Sequence, residues 1–244
     1  MDFNLLSTKK AIRSNLDRIN VLFNQVFESE RDAHELSWRL LENPLGKSLV
    51  IIAEDKGEIV LARVFWCLGN DHYQCIDTVI HPLHQGQGLF RMSHNFVLEI
   101  MPHIKFYNLP NARSFPVYIR LGWEELPSTY IKLILVPYQK SQIPEIEWNY
   151  NTLKWRYGDC PNRRYYYSKL GKKNIIFFYK KGFFPIVLGS TTCNLDFLVS
   201  KSILFGFSYD ENICGLPYLF RKSKRLHFNA NSDFKSNYFL YDMF

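Results

Sequence analysis

The sequence predicts an α+β chain: a mixed sheet flanked by helices over residues 1–140, followed by a smaller strand-rich lobe over 141–244. Three observations predict it. Apolar residues in the first half recur by turns at helical and at strand spacing. A glycine-rich stretch, Gln85-Gly86-Gln87-Gly88, joins a strand to a helix. A Trp-Arg-x-x-x-x-Pro segment appears at Trp38-Arg39 to Pro44 and again at Trp155-Arg156 to Pro161.

In chain order, Ser14-x-x-Asp17 has the form of a capping box. Leu16, Ile19, Leu22, Phe23 and Val26 then lie on one helical face. A second helix is expected over Asp32–Leu41 and stops before Asn43-Pro44, because the residue preceding proline is steered out of the α region. Leu49–Ala53 and Ile59–Trp66 read as strands joined at Lys56-Gly57. After Gly69-Asn70-Asp71 comes the strand that contains Ile76–His81. Leu89, Met92, Phe96 and Ile100 then form an apolar stripe at helical spacing. Ile104–Leu109 is a short strand, Asn111–Leu121 starts a short helix, and Tyr130–Val136 alternates as a strand should.

The polar segment Tyr138–Glu147 is expected to be the linker. Beyond it, strands are expected at Tyr165–Leu170, Ile175–Tyr179, Ile186–Leu188 and Ile203–Tyr209. The repeated Trp-Arg…Pro segment implies a related local plan in both halves, whether from duplication or because Trp and Pro close a helix against a sheet in each.

Composition narrows the classes. Apolar residues make up 47% of 244 and aromatics 16%, enough for a substantial core. No run reaches the roughly 20 apolar residues of a membrane helix, and the N-terminus lacks the apolar stretch of a secretory signal. Five cysteines, Cys67, Cys75, Cys160, Cys193 and Cys214, include no C-x-x-C pair. They are expected as free thiols in a cytoplasmic protein, with no metal site. A net charge of +7 favours anionic partners. No nucleic-acid motif accompanies it, so nucleic acid is not expected as a partner.

A glycine-rich strand-to-helix turn exposes N–H groups that have no intrahelical acceptor, with the positive end of the helix dipole behind them. Such a turn suits phosphates, and glycine lets the ligand approach the backbone. No Gly-Lys-Ser/Thr follows, so it is not a nucleoside-triphosphate loop.

Gln85-Gly86-Gln87-Gly88-Leu89-Phe90 resembles the Gln/Arg-x-x-Gly-x-Gly/Ala signature of the GNAT N-acetyltransferase superfamily. Asn111-x-x-Ser114-x-x-x-Tyr118-x-x-x-Gly122-Trp123 resembles that superfamily's closing motif. The departure is Phe90 where the family has Gly or Ala; its ring is expected to pack inward. The order of elements over residues 1–137 is similar to the family's arrangement. The resemblance implies a GNAT-like mixed sheet and a second GNAT-like lobe that lacks the cofactor motif and shapes the acceptor site. Tandem proteins of bacterial surface-polysaccharide biosynthesis look alike in this respect.

The resemblance further implies an acyl-CoA-dependent N-acyltransferase, with acetyl-CoA or another acyl-CoA as donor and a small-molecule amine, such as an amino sugar or sugar nucleotide, as acceptor. The amine would attack the thioester directly. The amides of Gln85, Gly86, Gln87, Gly88, Leu89 and Phe90 would hold the pyrophosphate. The backbone of Thr78, Val79 and Ile80 would hold the pantetheine arm and acyl carbonyl. Tyr118 occupies the general-acid position, and a phenol with an ordinary pKa near 10 keeps its proton at neutral pH. Asn111 and Ser114 are implied cofactor contacts, although an Asn after Pro110 is equally a helix cap. Among Asp77, His81 and His84, Asp77 is the first choice of base, with a water chain as the alternative. Strand alternation puts Asp77, Val79 and His81 on one face and Ile76, Thr78 and Ile80 on the other. Two other classes stand beside this one: a Fem-type aminoacyl transferase that uses aminoacyl-tRNA, and a protein that binds acyl-CoA without turnover. The sequence leaves the oligomeric state open.

Overall fold

The computed structural model describes residues 1–28, 30–135, 149–170, 174–191, 193–208 and 216–229. The expected linker Tyr138–Glu147 and Cys214 lie outside them. The chain divides into two compact units: residues 1–108, 116–124 and 227–230 form one, and 109–115, 125–226 and 231–244 form the other. The units therefore interleave along the sequence, where a single division near residue 140 was expected. The reason is β6 (Glu124–Leu135), which pairs antiparallel with β11 (Phe205–Ser208).

The first unit starts with β1 (Asp2–Leu6), a strand the sequence reading missed; it pairs antiparallel with β2 (Leu49–Asp55). Helix α1 (Lys9–Phe27) is capped by Thr8, whose side chain accepts from the Ala11 N–H. The expected capping box at Ser14 is thus inside the helix, where the Ser14 hydroxyl donates to the Ala11 carbonyl. A serine at mid-helix satisfies itself on the preceding turn and does not start a helix. Ile12, Ile19, Leu22 and Phe23 form the buried stripe, and Ile19 and Phe23 are fully buried. Burial of such a side chain contributes about 1.5–3 kcal/mol.

Helix α2 (Ala33–Leu41) begins at its Asp32 cap, as expected. Strands β2 and β3 (Glu58–Gly69) make a hairpin at Lys56-Gly57, both in the left-handed region at φ 51° and 84°. Then come β4 (His72–Ile80), α3 (Leu89–Ile100), β5 (Lys105–Asn108) and α4 (Phe115–Arg120). Strand order is β1-β2-β3-β4-β5, with β4 and β5 parallel and the other pairs antiparallel. Phe65, Phe106 and Trp123 stack through the core at centroid separations of 5.1 and 5.6 Å.

The second unit holds α5 (Tyr150–Leu153), which widens into a π-helical turn at Lys154–Gly158, followed by β7 (Tyr165–Leu170), β8 (Asn174–Lys181) and β9 (Phe184–Thr191) as an antiparallel meander. Strand β10 (Val199–Ser200) joins β7 in parallel, and β12 (Leu216–Phe228) neighbours β6. The two Trp-Arg pairs sit alike. Trp38 and Trp155 are buried near the ends of helical segments, each of which leads into the next strand of its half.

Candidate functional site

Strand β4 is paired along one edge and only half-paired along the other. Against β3 its register runs from His72 to Ile80. Against β5 it runs only from His72↔Lys105 to Cys75↔Asn108. Pro110, which has no N–H, follows two residues later. Beyond Cys75, no strand pairs with that edge of β4 among the described residues. The His81 N–H donates to the Val60 carbonyl of β3 at 2.8 Å. Alternation then turns Val79 to β3 and leaves the main-chain groups of Thr78 and Ile80 on the open edge. Of the three residues expected there, Val79 is spoken for by the pair Ala62↔Val79.

A bulge corrects the expected alternation of side chains. Val64 and Phe65, adjacent in β3, oppose Asp77 and Cys75, so Ile76 is an extra residue. Thr78 therefore shares a face with Cys75, and the Tyr118 phenol lies beside both of them.

The strand hands over to α3 through one tight turn, Pro82–His84. The His81 ring accepts from the Leu83 N–H at 3.3 Å. The Gln85 side chain donates to the Ile80 carbonyl at 3.3 Å and that of Gln87 to the Leu83 carbonyl at 3.2 Å, which staple the turn. Gly86 and Gly88 each have φ 76°, where L side chains are strained. A Cβ on either would meet no atom within 4 Å, so the space over the turn is open. The helix starts at Leu89, with Gly88 as its cap.

Among the described residues, no acceptor takes the N–H of Gly88, Leu89, Phe90 or Arg91; the first helical bond is Met92 N–H to the Gly88 carbonyl at 3.0 Å. The Gln85 N–H is already bonded to the Pro82 carbonyl at 3.3 Å, so it leaves the expected cluster. Free amides over glycines, at the positive end of α3, fit a diphosphate. The open edge at Thr78 and Ile80 fits an extended amide-bearing arm.

Phe90 turns inward. It is half-buried, 5.1 Å from Tyr118 and edge-on to it, with the Arg63 guanidinium 4.3 Å over its ring. Tyr118 is 3% exposed. Burial pushes its phenol above the ordinary 10, the Cys75 thiol adds to the rise, and the Arg63 charge and Thr78 oppose it. Asn111 and Ser114 precede α4. The Asn111 Oδ1 accepts from the N–H groups of Arg113 and Ser114 at 3.0 and 2.9 Å and from the Ser114 hydroxyl at 3.1 Å. That is a cap geometry, with both side chains facing each other.

Asp77 sits on the opposite face, 3.2 Å from both Arg31 and Arg39, and Glu35 pairs with Arg39 as well. Held by two guanidiniums on the face away from Thr78, the carboxylate is placed to tie Arg31 and Arg39 to β4 and not to reach an amine at the Thr78 edge. His81 is held by the Leu83 N–H and by Gln25 at 3.0 Å, and His84 lies 4.0 Å from Asp55. Sequence reasoning gave no site role to Arg31, Arg39, Arg63 or His94. Two of them gave a signal: Arg39 in the repeated Trp-Arg segment, and Arg63 as a cation in the middle of the apolar run Ile59–Trp66.

In the first unit, five successive strands of a mixed sheet, with parallel β4 and β5 that part beyond Cys75 and a glycine turn at the end of β4, define an α+β fold. No protein-family model matches the chain, and no curated protein is similar to it in sequence. Solved structures are. A GCN5-related N-acetyltransferase from Kribbella flavida superposes over 93% of this chain and 71% of its own, with 11% identity and a TM-score of 0.59. A protein of Pyrococcus horikoshii assigned as an acetyltransferase does so over 95% of this chain and 90% of its own, with 8% identity and a TM-score of 0.55. The chain has the fold of the GCN5-related N-acetyltransferases, the GNAT fold.

Proposed function

We propose that the chain is an acyl-CoA-dependent N-acyltransferase that moves an acetyl group from coenzyme A to the primary amine of a small molecule. The observation that carries this reading is the run of free amides from Gly88 to Arg91 at the end of a strand whose edge is open at Thr78 and Ile80. Coenzyme A supplies an activated thioester and a diphosphate by which to hold it. The amides of Gly88 to Arg91 bind the diphosphate, with Gly86 keeping the approach clear. The edge of β4 orients the arm, and the Thr78 or Ile80 N–H is aimed where a carbonyl oxygen gains charge. Tyr118 keeps its proton at neutral pH and holds it at Oη, beside Thr78, for the departing sulfur.

Asp77 has a different part in this reading. With two arginines on its carboxylate it anchors α2 to β4, and the amine's proton leaves through water. The acceptor is an amino sugar or a sugar nucleotide, and of the two the anionic sugar nucleotide suits a chain with net charge +7. No helix among the described residues is long and apolar enough to cross a membrane; a cytoplasmic location belongs to the same reading.

Incubation of the protein with acetyl-CoA, read as a shift in melting temperature, tests the donor site. A ligand at 100 times its dissociation constant adds about 2.7 kcal/mol. Coenzyme A released in the presence of amine acceptors tests turnover. Stabilisation without release would support the binding-only alternative, and no stabilisation would support the aminoacyl-tRNA alternative.

A further inference from the structure

Arg63 is 1% exposed in the middle of β3, opposite Thr78. Its Nη1 donates to the Ser93 hydroxyl at 3.2 Å and to the Phe90 carbonyl at 3.5 Å; among the described residues Nε and Nη2 have no partner in hydrogen-bonding geometry, and the guanidinium lies within electrostatic reach of the Tyr118 phenol. Its guanidinium covers the Phe90 ring, whose other neighbour is Tyr118. Among the described residues no carboxylate pairs with it. The groups around it are Cys75 and Thr78 on β4, Ser93 and His94 on α3, and Tyr118 on α4. Burial pushes the Cys75 thiol up to about 12, and burial with the Arg63 charge brings His94 down to about 4, so both are neutral at neutral pH.

Arg63 is thus the sole charge in a buried cluster of neutral groups. A buried cation without a counter-ion is costly and is retained where something negative comes to face it. The group that becomes negative here is the phenol of Tyr118. We propose that Arg63 is a positioning residue for Tyr118: through the Phe90 ring it fixes the phenol against Thr78, and its charge lets that phenol give up a proton inside the protein. This rests on the reading of Tyr118 as the acid. As the carbon–sulfur bond breaks with its electron pair on sulfur, the proton passes from Tyr118 Oη to that sulfur. The phenolate left behind stands beside Arg63 until the proton lost by the attacking amine restores it through water.

The test has two arms. In the first, 2,3,5-trifluorotyrosine replaces Tyr118, and its ionisation is followed by fluorine NMR in the wild-type chain and in Arg63→Met. This arm needs no activity. The ionisation is expected at least one pH unit higher in Arg63→Met, and in Arg63→Lys, which keeps the charge and serves if the Met variant does not fold, near the wild-type value. An unchanged ionisation in Arg63→Met overturns the proposal, as does Arg63→Lys rising as far as Arg63→Met. In the second arm, Arg63→Met is expected to lower kcat at least tenfold with KM for acetyl-CoA within threefold, yet to change kcat less than threefold in a Tyr118→Phe background. An equal loss in both backgrounds would make Arg63 merely structural and overturn the proposal. A wild-type chain that transfers no acetyl group while the ionisation shift is present refutes the acyltransferase reading and leaves the Arg63–Tyr118 coupling standing.

Discussion

Phe90 and Tyr118 meet edge to face, with ring centroids 5.1 Å apart and planes 85° to each other. The contact ties the second residue of α3 to the one buried residue of α4. Phe90 stands where the GNAT signature has a small residue, and the contact explains how a phenyl ring is accommodated. It leaves the turn, whose glycines stay open to solvent, and fills the space between Arg63 and Tyr118. Such an aromatic pair contributes about 0.5–1.5 kcal/mol beyond the area it buries.

Replacement of Tyr118 by Phe removes Oη and keeps the ring contacts with Phe90 and with Trp123, 4.6 Å away. Donor binding should hold within threefold, because the hydroxyl lies beside Thr78, away from the free amides of the turn. Turnover should fall about 100-fold, the low end for loss of a positioned proton donor. Steady-state kcat and calorimetric acetyl-CoA affinity check the two halves. A variant with full kcat would remove Tyr118 from the acid role.

Gly88→Asp should abolish acetyl-CoA binding, with affinity down by more than tenfold. The backbone at φ 76° costs an L residue about 1–2 kcal/mol, least for Asp and Asn. The new Cβ meets no protein atom, so the variant should fold. Its carboxylate then competes with the diphosphate for the N–H groups of Leu89 to Arg91. Gly88→Asn controls for shape and strain without the charge, and should retain binding to within about tenfold. Titration calorimetry on both variants reads the difference; equal losses would show that strain, not charge, matters at this turn.

The glycine turn, and the place of Tyr118 on a short helix, were legible because each depends on residues near one another in the sequence. A φ of 76° needs glycine, and a helix after it leaves amides free whatever the rest of the chain does. The short β5, expected over Ile104–Leu109, spans Lys105–Asn108. What stayed hidden depends on pairing across the sheet. The bulge at Ile76 is a property of the register between β3 and β4, and it puts Cys75 on the face of Thr78, where strict alternation would put the two on opposite faces. Asp77 reads as a free carboxylate because Arg31 and Arg39 lie some 40 residues earlier and reach it only through the packing of α2 on β4. The interleaving of the units has the same origin, since β6 follows the first half in sequence and pairs with β11.

His94 should make stability fall as the solution is acidified. It is 2% exposed, among the described residues neither ring nitrogen has a hydrogen-bond partner, and Phe106, Trp123 and Phe228 lie around it. Burial, with the Arg63 charge, lowers its pKa from 6.5 to about 4. Between those values the unfolded chain takes up a proton that the folded chain refuses. The stabilisation is therefore full above pH 6.5, declines as pH falls, and is gone below about 4. Each pH unit in that window is worth up to about 1.4 kcal/mol. His94→Phe keeps the ring packing and removes the titration, so urea midpoints measured from pH 7 to 4 should fall less steeply for the variant. Parallel slopes would show that His94 is protonated in the folded protein.

Asp77 separates a structural role from a catalytic one. Its side chain is 13% exposed and bridges Arg31 on the segment before α2 and Arg39 within it, at 3.2 Å each. A base must reach the attacking amine, and Asp77 is held by two guanidiniums on the face of β4 away from Thr78. Asp77→Asn retains the size of the side chain and leaves two half-buried cations facing a neutral amide. Loss of one partner from a buried ion pair costs about 3–5 kcal/mol, and partial exposure here brings the expected loss to about 2 kcal/mol. The stability of Asp77→Asn in urea should fall by that amount. The acid limb of its kcat/KM profile should stay where it is in the wild-type enzyme, because the carboxylate is held by Arg31 and Arg39 on the face of β4 away from Thr78. If Asp77→Asn instead keeps its stability and loses the acid limb, the carboxylate is the base after all, and the two arginines set its orientation.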